Sequence, residues 1–426
     1  MEKSLFAKYI AYLKGFVGTI TKKVNDSTSE ATYSFKDGLT KKLSADGNWS
    51  SLNFDGTRVT ADVVSLDSPL PLKRRDKITS ASGEIPKVGM KMALNEKTMR
   101  EIDNLVSRGT ADAEIAFLVY DDATRCLTGI YEEIEAQYLQ ALSTGQILVD
   151  DTTNVGTGIR VDFGYLPGNS FGVTAPWSDP TTSKPLDDIS TVLTAASLAG
   201  NPITLLKMDP VTFNQFAAST QVKEKYAFTV GFSGSNVQSP NLAQVNVMLL
   251  AEYRLQIKLV DRVVKNERDG VRTNQRPWAT NKVIFLAAEK VGKLVYSTLA
   301  EATRQNKAVT YVFTDDYIML KTWHSPEPFA EWTSSQALVI PVIENTGGIY
   351  SLNTEEANTS TQTEGDAVFN YKGAAYTKAS AIAGLNAANP QNTLTVSSTD
   401  ANINKAVNKL NDEQEALFVA ALVVAP

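Results

Sequence analysis

The most regular hydrophobic pattern in the chain lies between Thr110 and Thr144. Apolar residues recur there every three or four positions, which is the spacing of one helix face. They are Ile115, Val119, Cys126, Ile130, Ile134 and Ala141. No proline interrupts the run, so the pattern predicts one amphipathic helix of roughly 50 Å at ~1.5 Å per residue. The charges within it exclude a membrane span, and its single tract excludes a repeat.

A second amphipathic helix is predicted for residues 4–24, where lysines separate the apolar positions. Because of these lysines, the segment has neither the uninterrupted apolar region of a secretion signal nor an apolar stretch long enough to span a membrane. A basic amphipathic helix can bind a membrane, a partner helix or its own domain. Because a polar stretch follows it, we favour docking on a neighbouring subunit or on its own body.

Short strands and turns are predicted between residues 35 and 94. Asp37-Gly38, Asp46-Gly47 and Asp55-Gly56 are dipeptides typical of hairpin turns. Residues 68–85 contain two prolines, a basic cluster and a Ser/Gly-rich stretch, but few core residues. This composition predicts an exposed excursion.

The basic cluster of the excursion consists of Lys73, Arg74, Arg75 and Lys77. Such a cluster can bind phosphates or an acidic neighbour. In an acidic protein that contacts copies of itself, carboxylates are the favoured partners.

Strands and helices alternate through the rest of the chain. Predicted helices cover residues 187–198, 210–218, 242–253 and a stretch around 401–418. Predicted strands cover residues 146–149, 159–165, 203–208, 255–264, 283–287, 311–313, 317–323, 337–344, 367–371 and 393–396. Residues 265–276 read as a long loop or hairpin tip, and residues 349–352 as the strand that closes the late sheet. Residues 353–364 have the composition of a linker.

Composition narrows the function classes. With 426 residues, of which 43% are hydrophobic, the chain can bury a large core and form two to three domains. A net charge of −6 and a pI of about 5.2 argue against a protein whose main task is to grip nucleic acid. The sequence has one cysteine, Cys126, which excludes an intrachain disulfide and a thiolate metal cluster. Cys126 lies on the buried stripe of the long helix.

No pattern in the sequence predicts a catalytic, cofactor-binding or metal site. The single histidine, His324, sits where a strand enters a turn, which favours a structural role. The adjacent acids of Asp121-Asp122, Asp187-Asp188 and Asp315-Asp316 point in different directions on a helix or strand. Gly156-Thr157-Gly158 lacks the third glycine of a dinucleotide loop.

The late aromatic residues Trp323, Trp332, Tyr317 and Tyr350 lie near glutamates in the sequence, namely Glu327, Glu331 and Glu344. A stacking platform for bases needs basic neighbours. We therefore interpret these aromatic side chains as parts of a packed core or a subunit contact.

Four passages occur in an order that resembles a known family. They are Val59 to Leu94 with LPLKRRDKI; the long helix running into Leu139–Val149 and then Val161-Asp162-Phe163-Gly164; Trp177-Ser178-Asp179 followed by Pro185–Ile189; and Ala330-Glu331-Trp332 through Leu338–Val342. This order resembles the major capsid proteins of tailed bacteriophages, specifically the lambda-type capsid protein E family. The match to the family is specific because the four passages occur in the family's order.

The resemblance implies an α+β fold of the Hong Kong 97 capsid type. Its parts map to an N-terminal arm (1–57), an extended loop (58–97), a peripheral domain (98–184 with 286–352) that holds the long helix 110–144 as its spine, and an axial domain (185–285). A linker (353–364) and a small C-terminal added domain (365–426) would follow. The added domain departs from the shortest family members.

The implied function is structural and not enzymatic, without a cofactor. Copies would assemble in the host cytoplasm into hexamers and pentamers of an icosahedral virion shell around double-stranded DNA. Expected partners are the chain itself, a portal protein and a separate scaffolding protein; a decoration protein is a further candidate. The DNA contact would be weak and non-specific, because a tightly binding shell would resist genome entry. No membrane partner is expected.

The basic residues Lys73, Arg74, Arg75 and Lys77 are predicted to make inter-subunit contacts. Two alternatives remain open. One is an encapsulin-like compartment shell of the same fold, which would enclose enzymes instead of DNA. The other, from a different class, is an acidic α+β hydrolase in which distant carboxylates converge on a pocket.

Overall fold

The computed structural model describes residues 4–25, 33–54, 78–149, 158–231, 238–268 and 270–357, and in the C-terminal part 368–371, 374–389, 403, 406–407 and 410–422. The chain forms two compact units, Met1–Glu355 and Glu356–Pro426. The fold mixes helices and strands, so the predicted α+β class is confirmed.

The helices of the first unit follow a short 3₁₀ turn (Ala7–Tyr9) and are α1 (Ile10–Asn25), α2 (Ser34–Gly38), α3 (Glu96–Ser107), α4 (Asp112–Thr144), α5 (Pro185–Leu198), α6 (Pro210–Ala218), α7 (Thr220–Thr229), α8 (Leu242–Tyr253) and α9 (Ala300–Thr303).

The strands of the first unit are β1 (Leu39–Leu43), β2 (Asn48–Phe54), β3 (Ile78–Glu84), β4 (Lys87–Asn95), β5 (Gln146–Val149), β6 (Ile159–Asp162), β7 (Ser170–Val173), β8 (Leu205–Met208), β9 (Gln256–Leu259), β10 (Val264–Arg268), β11 (Val271–Gln275), β12 (Lys282–Leu286), β13 (Gly292–Ser297), β14 (Thr310–Thr314), β15 (Ile318–Pro326), β16 (Phe329–Ile343) and β17 (Ile349–Ala357).

The predicted long helix is confirmed as α4, which has 33 residues. It ends at Gly145, whose φ of 77° lies in the left-handed region that glycine adopts without strain. The apolar stripe is buried as expected. The C-terminal half of α4 is buried on further faces as well, because the N-terminal segment packs on it in addition to the sheet.

A six-stranded sheet packs against α4. Its order is β1-β13-β16-β15-β14, and β4 also pairs with β16. β16 spans 15 residues and pairs with β4 over 330–338 and with β13 over 338–343. The hydroxyl of Ser335 donates to the carbonyl of Cys126 at 2.7 Å, which fixes β16 on α4. Cys126 is fully buried and acts as a small core residue.

A five-stranded sheet of order β7-β17-β12-β8-β9 carries a second core. Helices α5 to α8 contribute to this core, whose largest fully buried side chains include Trp177, Phe216 and Phe285. The prediction that residues 349–352 close the late sheet is wrong, since they belong to β17 and pair with β12. Alternating apolar residues reveal a strand, but they do not reveal which strand will be its neighbour.

In the described residues of the first unit, three pairs of strands form two-stranded ribbons: β2–β3, β5–β6 and β10–β11. The hairpin turns predicted at Asp37-Gly38 and Asp46-Gly47 are wrong. β1 pairs in parallel with β13, and β2 pairs with β3 beyond the excursion. A turn dipeptide fixes only the local backbone, and here distant strands supply the hydrogen bonds. Asp55-Gly56 lies outside the described residues.

The second unit contains a hairpin of β18 (Val368–Tyr371) and β19 (Ala374–Thr377), followed by α10 (Lys378–Ala388) and α11 (Asp412–Ala421). Its small core includes Leu385, Ile403 and Phe418. Gly384 allows close helix packing, because a Cβ there would lie 3.2 Å from the Phe418 ring. The predicted strand at 393–396 lies outside the described residues.

Within the described parts of the chain, no helix is both long and apolar enough to cross a membrane.

Candidate assembly surfaces

The N-terminal segment is anchored to the body by a buried carboxylate. Glu331 on β16 is 3% exposed, and its Oε2 accepts the backbone N–H of Leu5 at 3.2 Å. Burial raises the pKa of Glu331. The hydroxyl of Tyr120 on α4 donates to the carbonyl of Phe6 at 3.2 Å. The arm therefore docks on its own body, which is one of the two dockings predicted.

Helix α1 extends this docking along α4. Leu13, Val17 and Val24 are buried in the same core as α4. Lys8 pairs with Asp112 at 2.9 Å, although both side chains are largely exposed, so this pair adds little stability. Apolar burial is thus what holds α1 in place.

A second anchor joins a later part of the arm, after α1, to the turn between β14 and β15 of the six-stranded sheet. Asp315, in the turn before β15, has a side chain that is 2% exposed and pairs with both Lys36 and Lys41. Tyr131 on α4 donates to the same carboxylate at 3.1 Å. Burial opposes the charge on Asp315, but the two lysines outweigh it and hold its pKa below the usual value.

Helix α2 begins on a buried glutamate of α4. The carboxylate of Glu135 accepts the backbone N–H groups of Ser34 and Phe35 at 3.0 and 2.9 Å. Burial raises the pKa of Glu135. Because these two N–H groups open α2 and have no partner within the helix, Glu135 satisfies them as a cap would.

Large apolar side chains are exposed on helices around the second core. Phe228 is 83% exposed at the end of α7, and Val247 and Leu250 on α8 are 68% and 60% exposed. A salt bridge between Lys225 and Glu252 at 2.7 Å joins α7 to α8. Exposed apolar side chains on adjoining helices are typical of a surface that meets another protein.

Another exposed apolar pair, Phe117 and Leu118, lies in the N-terminal half of α4, 61% and 45% exposed. Phe16 of α1 makes an edge contact with the Phe117 ring, with centroids 6.3 Å apart. The arm therefore covers only part of this apolar surface.

The basic residues Lys73, Arg74, Arg75 and Lys77 lie outside the described residues. The ribbon that leads into their segment is described. β2 and β3 pair from Asn48↔Glu84 to Phe54↔Ile78, and Trp49 at the ribbon's root is buried against Phe163, with ring centroids 5.9 Å apart.

The charges near the late aromatic residues differ from those that the sequence suggested. Trp323 and Trp332 stack with centroids 6.4 Å apart, and the ammonium group of Lys91 lies 3.6 Å from the Trp332 ring centroid. Lys91 comes from β4, which pairs with β16. The interpretation as packed residues is confirmed for Trp323, Tyr317 and Tyr350, which are buried. The acidic surroundings expected for the two tryptophans are wrong, because Lys91 and Lys321 lie near their rings, whereas the hydroxyl of Tyr317 donates to the carboxylate of Asp315.

His324 is 4% exposed and packs edge-on against Phe329 with ring centroids 4.8 Å apart. It lies directly across the β15–β16 pair from Glu331.

Among the described residues no group of three or more His, Cys, Asp or Glu side chains could hold a metal ion. Exposed apolar side chains on α4, α7 and α8, such as Phe117, Phe228 and Val247, are typical of a protein that contacts other chains.

Comparison with known proteins identifies the class. The profile of the family described as Phage major capsid protein E matches residues 53–354, and the chain belongs to this family. The capsid family predicted from the sequence is confirmed, and with it the Hong Kong 97-type shell fold that the resemblance implied. The protein is a structural component of the phage capsid, and its location is the virion.

Several solved structures are similar to this chain. A phage-related protein from Bordetella bronchiseptica RB50 is 12% identical, with a TM-score of 0.44 over 85% of this chain and 100% of that chain. The capsid of cyanophage A-1(L) is 13% identical, with a TM-score of 0.42 over 75% and 90%. The capsid of Myoviridae phage XM1 is 12% identical, with a TM-score of 0.40 over 75% and 90%. No curated protein sequence matches the chain.

Proposed function

We propose that copies of this chain assemble into hexamers and pentamers of an icosahedral phage head that encloses double-stranded DNA. The family match over residues 53–354 carries the proposal. The exposed apolar side chains on α7 and α8 support it, because apolar area left in water on one copy is available for burial against another. Ring-forming contacts of this kind close a shell.

In this proposal the chain has the five parts that the family resemblance implies. Residues 1–57 are the arm, 58–97 the extended loop, 98–184 with 286–352 the peripheral domain, 185–285 the axial domain, and 365–426 an added domain. The linker predicted at 353–364 precedes the added domain, but its first residues, 353–357, belong to β17. The division of the first unit into two cores supports the peripheral and axial parts. The helix α4 serves as the spine of the peripheral domain.

The partners in this proposal are further copies of the chain, a portal protein, a scaffolding protein and, on the outside of the shell, a decoration protein. Packaged DNA makes weak non-specific contact, consistent with the net charge of −6. Assembly takes place in the host cytoplasm, and the chain has no enzymatic activity.

Electron microscopy of the purified full chain tests the proposal. We expect closed particles built of hexamers and pentamers, and nuclease-protected DNA in particles taken from virions. Particles that enclose enzymes instead of DNA would favour an encapsulin-like compartment. A small soluble species that never assembles would contradict the proposal.

The proposed role of the basic segment is tested by charge reversal. We propose that Lys73, Arg74, Arg75 and Lys77 bind carboxylates of a neighbouring copy, so changing all four to Glu should lower shell yield. The matched control reverses four exposed basic residues elsewhere, Lys22, Lys23, Arg304 and Lys307. Equal shell yield and stability for both variants would refute this role.

A further inference from the structure

Beyond its root, the β10–β11 ribbon has no buried side chain among the residues that the structure describes. Five residue pairs join its strands, from Val264↔Gln275 to Arg268↔Val271. All five residues of β11 are exposed, including Val271 at 65%. Val264, at the root, is 4% exposed and is the only buried residue among positions 264–267 of β10. The ribbon beyond its root therefore stands in solvent.

The root of this ribbon is held firmly. The guanidinium group of Arg262, just before β10, pairs with Glu132 of α4 and lies 4.6 Å from the ring centroid of Tyr33. After β11, the buried side chain of Trp278 donates its indole N–H to the carbonyl of Lys282 at 3.2 Å. The ribbon consequently leaves the body in a fixed direction.

A two-stranded ribbon without a packed face is marginally stable in water. All three ribbons of this unit bury an apolar side chain near the body, namely Trp49 on β2, Ile147 on β5 and Val264 on β10. Beyond Val264, polar pairs join the strands of β10–β11. Arg272 donates to Glu267 across the strands at 2.6 Å, and Asn266 to Gln275 at 2.8 Å. These contacts align the strands but bury little apolar area.

The charge of the ribbon is opposite to that of the chain. Residues 265–276 contain four basic residues and two acidic ones, a net charge of +2. The whole chain carries −6, so the remainder carries −8. A second copy therefore offers the ribbon a surface of opposite charge.

We propose that the β10–β11 ribbon is an inter-subunit arm that lies on a second copy of this chain and is held there by Lys265 and Arg272 against carboxylates of that copy. The inference rests on the proposed function, because it requires copies to meet in a shell. It adds a contact surface that the family match does not assign.

A pair of matched double variants tests the ribbon. The double variant Lys265→Glu with Arg272→Glu reverses two positive charges on the ribbon. The control, Lys97→Glu with Arg100→Glu, makes the same charge change on α3. Arg272 and Arg100 are alike, since they are 70% and 76% exposed and each pairs with a glutamate of its own element or ribbon. We expect the ribbon variant to lose shell yield by about tenfold or more and the control to retain it.

The outcomes separate the two proposals. A wild-type chain that never forms shells overturns the proposed function and the inference with it. Wild-type shells together with ribbon-variant shells at the control's yield overturn the inference alone. Circular dichroism of both variants checks that each still folds.

Hydrogen exchange on the wild-type protein gives an independent measurement. Amide exchange over residues 264–275 should slow by about tenfold or more between free subunits and DNA-free shells. Unchanged exchange in shells overturns the inference. Slowing that occurs only in DNA-filled shells identifies the genome as the partner of this basic ribbon and also overturns it.

Discussion

The anchor at Asp315 predicts that substituting this aspartate lowers the free energy of unfolding much more than substituting its neighbour Asp316. Asp315 and Asp316 both pair with Lys41, at 2.6 and 2.9 Å, but their side chains are 2% and 67% exposed. Asp315 also neutralises Lys36, which is 12% exposed. The substitutions Asp315→Asn and Asp316→Asn remove one charge each. Both residues have positive φ angles, 55° and 70°, which asparagine tolerates, so neither change strains the turn.

The expected magnitudes follow from burial. Asp315→Asn leaves Lys36 buried without its counter-charge, and breaking a buried pair costs about 3–5 kcal/mol. Lys41 can still reach solvent, which places the expected loss of unfolding free energy at about 3 kcal/mol. Asp316→Asn disturbs only an exposed pair and should cost less than ~1 kcal/mol.

Urea unfolding of unassembled subunits, followed by tryptophan fluorescence, measures both losses. The pH dependence gives a second check. Since the folded pKa of Asp315 is depressed, its contribution to stability is fully present above its unfolded pKa of about 3.9. That contribution should disappear as the pH falls through the lower folded pKa, where wild type and Asp315→Asn converge.

Equal unfolding free energies for Asp315→Asn and Asp316→Asn at pH 7 would refute the reasoning, because burial would then not decide the strength of the pair. A gap between wild type and Asp315→Asn that persisted unchanged to pH 2 would refute the charge-based explanation. The substitution would then act through packing.

Other substitutions test the helices. Thr128→Pro removes an α4 hydrogen bond and should cost about 3 kcal/mol or more and abolish assembly before all folding is lost; normal shells, seen by electron microscopy, would contradict the spine role. Gly38→Ala should destabilise by about 1–3 kcal/mol, because a Cβ there would overlap the buried hydroxyl of Tyr138. Gly15→Ala in α1, with nothing within 4 Å of the added Cβ, should stabilise by about 0.5–1 kcal/mol. Thermal unfolding of each glycine variant measures its change in stability relative to wild type. Changes of the same sign in Gly38→Ala and Gly15→Ala would contradict the packing argument.

The predictions from sequence succeeded where the signal is local. The periodic spacing of Ile115, Val119 and Cys126 predicted α4, since each turn of a helix repeats the same face within a few residues. The predicted run ended at Thr144, and α4 ends at the same residue. The order of four passages identified the family because order along the chain is itself a property of the sequence.

The tertiary structure alone decided which distant segments meet. Leu5 and Glu331 are 326 positions apart, and nothing in the spacing of either segment indicates their hydrogen bond. Lys91 reaches Trp332 only because β4 pairs with β16, so a reading limited to sequence neighbours found glutamates there. The pairing of β1 with β13 was hidden for the same reason.

The sequence by itself therefore determined the long helix, the mixed fold class and the family. Strand partners, the buried positions of Asp315, Glu135 and Glu331, and the unpacked state of the β10–β11 ribbon were decided by the tertiary structure. The physical reason is that hydrophobic spacing specifies which face of an element is buried. What that face meets depends on the packing of the whole chain.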